Sequence, residues 1–291
     1  MIIFPGYAGF VGIAAGLLAL IVASLFDIKT REVPDWISYS LLAFSLGSAV
    51  MLTIYHGDFQ ILFNALLGFA AGLAIGLIMF YSGQWGGGDS KLIIALASLI
   101  GLSFSDFKAG IPLFFVFLIN ILLVGSIYGL FFSMIKALIN YKKFKIAVEE
   151  KLRSKEVLIL RIILLVVGVG AFIFLLASRS LESALIFGLA MALFLFFYLW
   201  AFVTTVEKTC MIKTVKVGKL TDGDWIVGDV KKGNKVVLKA SKTGITLEQI
   251  AKLKKRGVRE VMIKIGIPFI PSFLIAYILT FTFGNWILFF I

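Results

Sequence analysis

Long apolar segments restrict what this chain can fold into more than any other feature. One helix needs about 20 apolar residues to cross a bilayer core about 30 Å thick. The composition agrees with many such crossings, because 60% of the 291 residues are hydrophobic and only 15% are charged. These values are typical of a polytopic membrane protein. The eight predicted spans are residues 9–26, 36–55, 61–81, 90–105, 111–139, 157–177, 183–206 and 272–290.

The distribution of lysine and arginine predicts how these spans are oriented. Of the 28 basic residues, 26 fall in four segments on one side of the spans, and only Lys108 and Arg179 lie on the other. Basic segments remain cytoplasmic by the positive-inside rule. The N- and C-termini are therefore predicted to lie outside. This placement accounts for the net charge of +12 without nucleic acid, which is not expected as a partner. Membrane lipids are expected partners. For the 15 basic residues of 207–264, lipid headgroups rank first, before a cytoplasmic protein partner and nucleic acid, and the role of this stretch is left open.

Residues 207–266 form a stretch long enough for a small soluble domain. Its pattern predicts strands at 214–220, 235–240 and 258–265, and a helix that starts with a capping box at Thr246. The predicted architecture is an all-α polytopic membrane protein of about eight transmembrane helices, with a small cytoplasmic α+β domain inserted before the last helix. The predicted domains are a membrane catalytic domain (1–206), the cytoplasmic domain (207–266) and a C-terminal transmembrane helix (267–291).

The third and fourth predicted spans have unusual compositions. Gly68, Gly72 and Gly76 recur every four residues in the third span, and small residues at this spacing let helices pack closely. The fourth span is short, since the 14 residues from Lys91 to Phe104 give a helix of only about 21 Å. Either the bilayer is thin there or the residues before Lys91 lie below the membrane surface, in a water-filled cavity.

Two aspartates lie at the ends of predicted spans. Asp27 ends the first span, and Asp89 follows three glycines and opens the fourth. Two spans lie between them, so both aspartates are predicted to lie on the same face of the membrane. The charge distribution predicts that this face is cytoplasmic. The two side chains can therefore come together. Two such carboxylates can share one proton; one then accepts a proton from a water molecule while the other donates to a carbonyl oxygen. This pair is the minimum requirement for an aspartic protease.

Each aspartate also has a structural interpretation. Asp89 could stabilise the start of a helix through the helix dipole, but this does not explain the glycines before it. Glycines there would permit unusual backbone angles and let a peptide approach closely. Asp27 could be a boundary carboxylate neutralised by Lys29 or Arg31. An ionisable group at the edge of a span is by default a sign of function, and the matching position of Asp89 favours catalysis.

The segments Gly86 to Asp89 (Gly-x-Gly-Asp) and Asp27 to Pro34 (Asp-x-Lys-x-Arg-x-x-Pro) together resemble the type IV prepilin peptidases, most closely their archaeal preflagellin peptidase branch. The resemblance extends to the turn at 267–271. It implies that both aspartates are catalytic and that no cofactor is needed. It also implies that short basic leader peptides are removed from pilin-like or archaellin precursors at the cytoplasmic face of the cell membrane.

Residues near the aspartates have predicted supporting roles. Glu32 and Asp35 offer acidic partners for a basic leader, although the family often has asparagine where this chain has Asp35. Lys29, Arg31 and Lys91 are expected to fix the orientation of the spans. Their spacing from the aspartates in the family pattern suggests that they also stabilise the loops that carry the aspartates. The residues predicted to bind substrate or shape the loops are Gly86, Gly88, Lys29, Arg31, Lys91, Glu32 and Asp35.

The single cysteine, Cys210, and the single histidine, His56, give no support to a disulfide, a metal site or a histidine-based triad. Many bacterial prepilin peptidases carry a cysteine-rich zinc region and an N-methyltransferase activity. The absence of those cysteines argues against methylation here. No metal ligand is predicted.

Three alternatives remain open at this point. Presenilin and signal-peptide-peptidase proteases share Gly-x-Gly-Asp, but they resemble a pattern with Tyr-Asp and a late Pro-Ala-Leu, whereas Phe26 precedes Asp27 here and no Pro-Ala-Leu occurs. An ion or proton transporter would use buried acidic residues, but no convincing inverted repeat is present. An inactive scaffold is also compatible with the sequence. Prepilin and preflagellin substrates are not separated, and the oligomeric state is not predicted.

Overall fold

The structure is a computed structural model that describes residues 9–232, 235–239 and 244–284. The chain forms two compact units, residues 1–129 with 214–291, and residues 130–213. The helices are α1 (Gly9–Thr30), α2 (Asp35–His56), α3 (Phe59–Tyr81), α4 (Gly87–Ile100), α5 (Phe104–Ala109), α6 (Leu113–Ile139), α7 (Tyr141–Arg153), α8 (Lys155–Ser178), α9 (Leu181–Thr209), α10 (Leu247–Lys255) and α11 (Ile270–Phe283). The strands are β1 (Ile212–Lys216), β2 (Trp225–Ile226), β3 (Val230–Lys232), β4 (Lys235–Leu238) and β5 (Glu260–Lys264).

Six helices in the described ranges are long and apolar enough to cross a membrane, namely α1, α2, α3, α6, α8 and α9. They confirm the prediction of a mostly helical polytopic membrane protein. The fourth and eighth predicted spans correspond to α4 and α11, which have 14 residues each and are about 21 Å long. Residues 285–290 of the eighth predicted span lie outside the described residues. The number of eight transmembrane helices therefore stays a prediction.

Helix α4 forms the centre of the first unit. Nine of its 14 residues are buried, and Leu92, Ile93 and Leu96 have no exposed surface. It packs mainly against α3 and α2, because a helix that is apolar on all sides must be covered on all sides. The short fourth segment is thus a buried central helix, and this position sets the depth of the residues at its start.

The glycines of α3 let that helix approach α4. A Cβ atom added to Gly72 would lie 2.5 Å from the Cβ of Ala97, and one added to Gly76 would lie 3.0 Å from the carbonyl oxygen of Ser90. A Cβ at Gly68 would collide with the carbonyl oxygen of Ala97. The prediction of close helix packing at these three positions is confirmed.

Residues 212–264 contain the sheets. A three-stranded sheet has the order β1-β5-β2, and β3 pairs with β4 in an antiparallel ribbon. Their core includes Ile245 and Leu253, which are almost fully buried. The capping box at the start of α10 is confirmed, since the backbone N–H of Gln249 donates to Thr246 Oγ1 (3.3 Å) and the Thr246 N–H donates to Gln249 Oε1 (3.1 Å).

The strand predictions in this region have mixed outcomes. The first strand covers Ile212–Lys216, and the prediction for 214–220 is wrong in its second half, where Val217–Lys219 forms a 3-10 turn. Strands β4 and β5 confirm the other two predictions, although Ala240 lies outside the described residues. Strands β2 and β3 were not predicted, because segments of two and three residues are too short for an alternating pattern to be recognised.

The second unit contains α7, α8 and α9. Helix α9 packs against both of the others. The Lys151 ammonium donates to the hydroxyl of Thr204 and lies 4.3 Å from the ring centroid of Trp200, which is within the range of a cation–π interaction. The face of α7 that carries Phe144 also contacts α9, through the ring of Phe202.

Candidate active site

Asp27 lies in the last turn of α1, and its side chain is 4% exposed. Its Oδ2 atom accepts a hydrogen bond from the backbone N–H of Ile270, at 2.8 Å, and the backbone of Phe269 also donates to the carboxylate. Ile270 is the first residue of α11, so the carboxylate sits at the positive end of that helix dipole. The start of α11 therefore holds the side chain of Asp27 in place.

Asp89 lies in the first turn of α4. Its Oδ2 atom accepts a hydrogen bond from the backbone N–H of Gly86, at 3.1 Å, so the carboxylate does cap the helix as the structural interpretation expected. It also interacts electrostatically with Asp27. The structure therefore brings the two predicted catalytic carboxylates close together, as their placement on one face predicted.

The glycine run before Asp89 adopts ordinary backbone angles. Gly86 has φ −70° and ψ 165°, and neither Gly87 nor Gly88 has a positive φ, so the expectation of unusual angles is wrong. Space explains one of the glycines instead. A Cβ added to Gly88 would lie 2.8 Å from the Cβ of Val33, whereas the nearest atom to a Cβ on Gly87 is a ring carbon of Phe80 at 3.8 Å. At Gly88 the start of α4 approaches the loop before α2 so closely that there is no space for a side chain.

Lys91 and Asp35 form an ion pair beside the aspartates. The Lys91 Nζ atom lies 2.6 Å from Oδ1 and 2.8 Å from Oδ2 of Asp35, and 5.6 Å from the ring centroid of Tyr39. Asp35 is the first residue of α2. The carboxylate that was predicted to contact a basic leader is therefore already neutralised by a residue of the Asp89 segment.

The remaining predicted residues lie on the surface where α1 ends. Arg31 adopts a left-handed conformation with φ 60°, its N–H donates to the carbonyl oxygen of Asp27 at 2.8 Å, and its charge acts on the Asp27 carboxylate. Lys29 and Glu32 are exposed. Within the described ranges, the Glu32 carboxylate makes no hydrogen bond and no ion pair. Glu32 is therefore the acidic group of this loop that remains available to a basic peptide.

Two features of the site were not predicted from the sequence. The amides of Phe269 and Ile270 bind Asp27 although 243 positions separate Asp27 from Ile270. The prolines at 268 and 271, which mark a helix start, are the signal that could have indicated them. Tyr128 of α6 is close enough to interact electrostatically with Asp27, and the neighbouring Gly125 is where α6 approaches Phe269, since its added Cβ would lie 2.5 Å from that ring.

The fold and the site together define a polytopic membrane protein with a pair of aspartates held at the starts of two buried helices. Residues 14–134, which include both aspartates, match the Type IV leader peptidase family. Over this range the match agrees with the resemblance that the two aspartate motifs carry.

The chain is also similar to three curated archaeal proteins named preflagellin peptidase. Identity to the Methanococcus maripaludis protein is 40% over 85 residues, which is 29% of this chain and 36% of the relative. Identity to the Methanocaldococcus jannaschii protein is 35% over 85 residues, which is again 29% of this chain and 36% of the relative. Identity to the Methanococcus voltae protein is 34% over 87 residues, which is 30% of this chain and 37% of the relative. The matches thus span little more than a third of the relatives' lengths. No solved structure matches the chain.

Proposed function

We propose that this protein is a membrane aspartic endopeptidase that removes basic leader peptides from archaellin or type IV pilin-like precursors. The observation that carries the proposal is that Asp27 and Asp89, 62 positions apart in the sequence, are near enough to interact electrostatically. The start of α11 holds Asp27, and Asp89 lies in the first turn of the buried helix α4. The match of residues 14–134 to a leader peptidase family supports it. The names of the relatives favour preflagellin as the first precursor to test.

The chemistry follows from the two carboxylates. A water molecule between them would give a proton to the ionised carboxylate as it attacks the scissile carbonyl carbon, while the other, protonated carboxyl group donates its proton to the carbonyl oxygen. The C–N bond of the tetrahedral intermediate then breaks, and the amine leaves with the proton that the first carboxylate took up. No covalent intermediate forms, and no cofactor is needed. The amides at the start of α11 orient Asp27, and the amide of Gly86 orients Asp89, so the protein supplies the alignment that such proton transfers require.

The orientation of the site is part of the same proposal. With the four basic segments in the cytoplasm, both aspartates face the cytoplasm and both termini lie outside. A precursor would then present its basic leader at the cytoplasmic membrane surface and keep its apolar segment in the bilayer. The carboxylate of Glu32, which is exposed and has no ion pair within the described residues, lies on the loop that follows α1 and Asp27, and it would attract that leader.

The experiment is cleavage of full-length preflagellin and prepilin-type precursors by purified protein in detergent. The wild type is compared with Asp27→Asn and Asp89→Asn, and with Asp106→Asn as a control aspartate in helix α5. We expect cleavage just before the apolar segment, a loss of about a thousandfold or more in each site variant, and normal activity in the control.

Cleavage that survives either site substitution would refute the two-aspartate mechanism. Cleavage inside the apolar segment would favour a presenilin-type protease instead. If no precursor is cleaved while the protein conducts ions or protons in liposomes, the transporter alternative replaces the proposal. Cleavage of one precursor class alone would decide between archaellin and pilin substrates.

A further inference from the structure

The Lys91–Asp35 ion pair, here called the loop bridge, joins the two segments that carry the aspartates. Lys91 follows Asp89 by two residues at the start of the second turn of α4, and Asp35 begins α2 directly after the loop that follows α1. The ammonium contacts both carboxylate oxygens, at 2.6 and 2.8 Å. A contact to both oxygens fixes the relative position of the two segments more firmly than a contact to one.

A second contact lies on the other side of Asp89. Gly88 packs against Val33 so closely that an added Cβ would lie 2.8 Å from the Cβ of Val33. The packing of Gly88 on Val33 lies immediately before Asp89, and the loop bridge lies two residues after it. Both contacts therefore join the start of α4, which carries Asp89, to the segment that follows Asp27.

We propose that the loop bridge is a positioning device for the aspartate pair and that Asp35 does not bind the leader. The kinetic effects expected below rest on the proposed function, because they require that the protein cleaves a precursor. Lys91 already occupies both oxygens of Asp35, so a basic side chain of the substrate would have to displace an internal ion pair before it could bind there. Glu32, which is exposed and unpaired in the described part of the chain, has no such competitor and is the residue that selects a basic leader.

The exposure of the loop bridge separates this role from a role in overall stability. The side chains of Lys91 and Asp35 are 39% and 55% exposed, and ion pairs at such positions contribute little to folding. Catalysis is far more sensitive to position, since a displacement of about 1 Å can reduce the rate roughly hundredfold. Loss of the loop bridge should therefore lower kcat while the protein stays folded.

The first test measures kcat and KM separately on a basic-leader precursor. The variants are Asp35→Ala, Lys91→Ala, both together, and the charge exchange Asp35→Lys with Lys91→Asp; Glu32→Gln serves as the comparison for leader binding. We expect kcat to fall roughly tenfold to hundredfold in each single variant with KM within about twofold. The double variant should be no worse than either single one, and the charge exchange should recover part of the loss. Glu32→Gln should raise KM with kcat unchanged.

The result that overturns the inference is an increase of KM in Asp35→Ala with kcat unchanged, because Asp35 would then bind the leader. Additive losses in the double variant, or no recovery on charge exchange, would also contradict a shared role. Thermal unfolding in detergent shows that each variant is folded.

The second test does not require activity, so it separates this inference from the proposed function. Cysteines are placed by Asp27→Cys and Asp89→Cys in a Cys210→Ser background, and the rate of bridging by a short bifunctional thiol reagent is measured. We expect Asp35→Ala to slow the bridging several-fold and the charge exchange to restore it. An unchanged rate refutes positioning even if the precursor is cleaved. Failure of the wild type to cleave any precursor refutes the proposed function alone.

Discussion

The contact between Gly88 and Val33 leads to a sharp prediction for Gly88→Ala. The new Cβ would lie 2.8 Å from the Cβ of Val33 and 3.3 Å from its backbone nitrogen. Carbon atoms in favourable contact are about 3.5–4.0 Å apart, so the two segments must separate by about 1 Å. The Cβ and the backbone nitrogen of Val33 lie opposite, and neither moves with a change of rotamer, so a rotamer change cannot relieve the overlap.

The expected cost follows from that displacement. Inserting a methyl group into a filled space costs about 1–3 kcal/mol, which the large buried core around α4 can tolerate. Asp89 is the residue next to Gly88 and moves with it, and a displacement of about 1 Å at a catalytic group costs roughly hundredfold in rate. We therefore expect Gly88→Ala to be folded and to lose about 99% of kcat.

The assay is precursor cleavage at saturating substrate, with thermal unfolding measured on the same samples. Gly87→Ala is the matched control, because its added Cβ meets nothing closer than 3.8 Å, and it should stay within a few-fold of the wild type. Val33→Gly added to Gly88→Ala should recover part of the loss, since the opposing Cβ is removed. Equal activities of Gly88→Ala and Gly87→Ala would refute the reasoning.

Two further predictions concern stability. Gly72→Ala should lower the free energy of unfolding in detergent by about 1–3 kcal/mol, because the new Cβ overlaps Ala97. The control Gly47→Ala should be neutral or slightly stabilising, because its Cβ meets no atom within 4 Å. Equal unfolding temperatures of the two variants would contradict this prediction. Thr246→Ala should destabilise α10 by about 1 kcal/mol, seen as faster amide exchange at Gln249, and unchanged exchange would show that the cap contributes nothing.

Helix α4 shows where sequence reasoning about the fold succeeds and where it ends. Its apolar composition predicts a helix, and the α3 glycines correctly predict a close neighbour, because both signals are local and periodic. Its short length left open whether the bilayer is thin there or the residues before Lys91 lie below the membrane surface. Only the packing of α2 and α3 around it shows that α4 is buried by protein and that Asp89, in its first turn, is half-buried.

Asp35 shows the same limit at the site. Its charge and its position beside a catalytic motif suggest a partner for a basic leader, and its neighbours in the sequence do not indicate that Lys91 pairs with it. The structure brings Lys91 to it from 56 positions away. In the same way, the glycine run suggested unusual backbone angles, whereas the approach of Val33 to Gly88 supplies a steric reason.

The sequence by itself determined that this is a polytopic membrane protein and that two aspartates can meet on one face, because hydrophobic length, charge placement and an even number of spans are properties of the chain read in order. The tertiary structure decided which groups surround the pair. The Ile270 amide on Asp27 and the Lys91 ammonium on Asp35 both come from distant segments. Such contacts depend on side-chain volumes and helix packing in three dimensions, for which no local pattern exists.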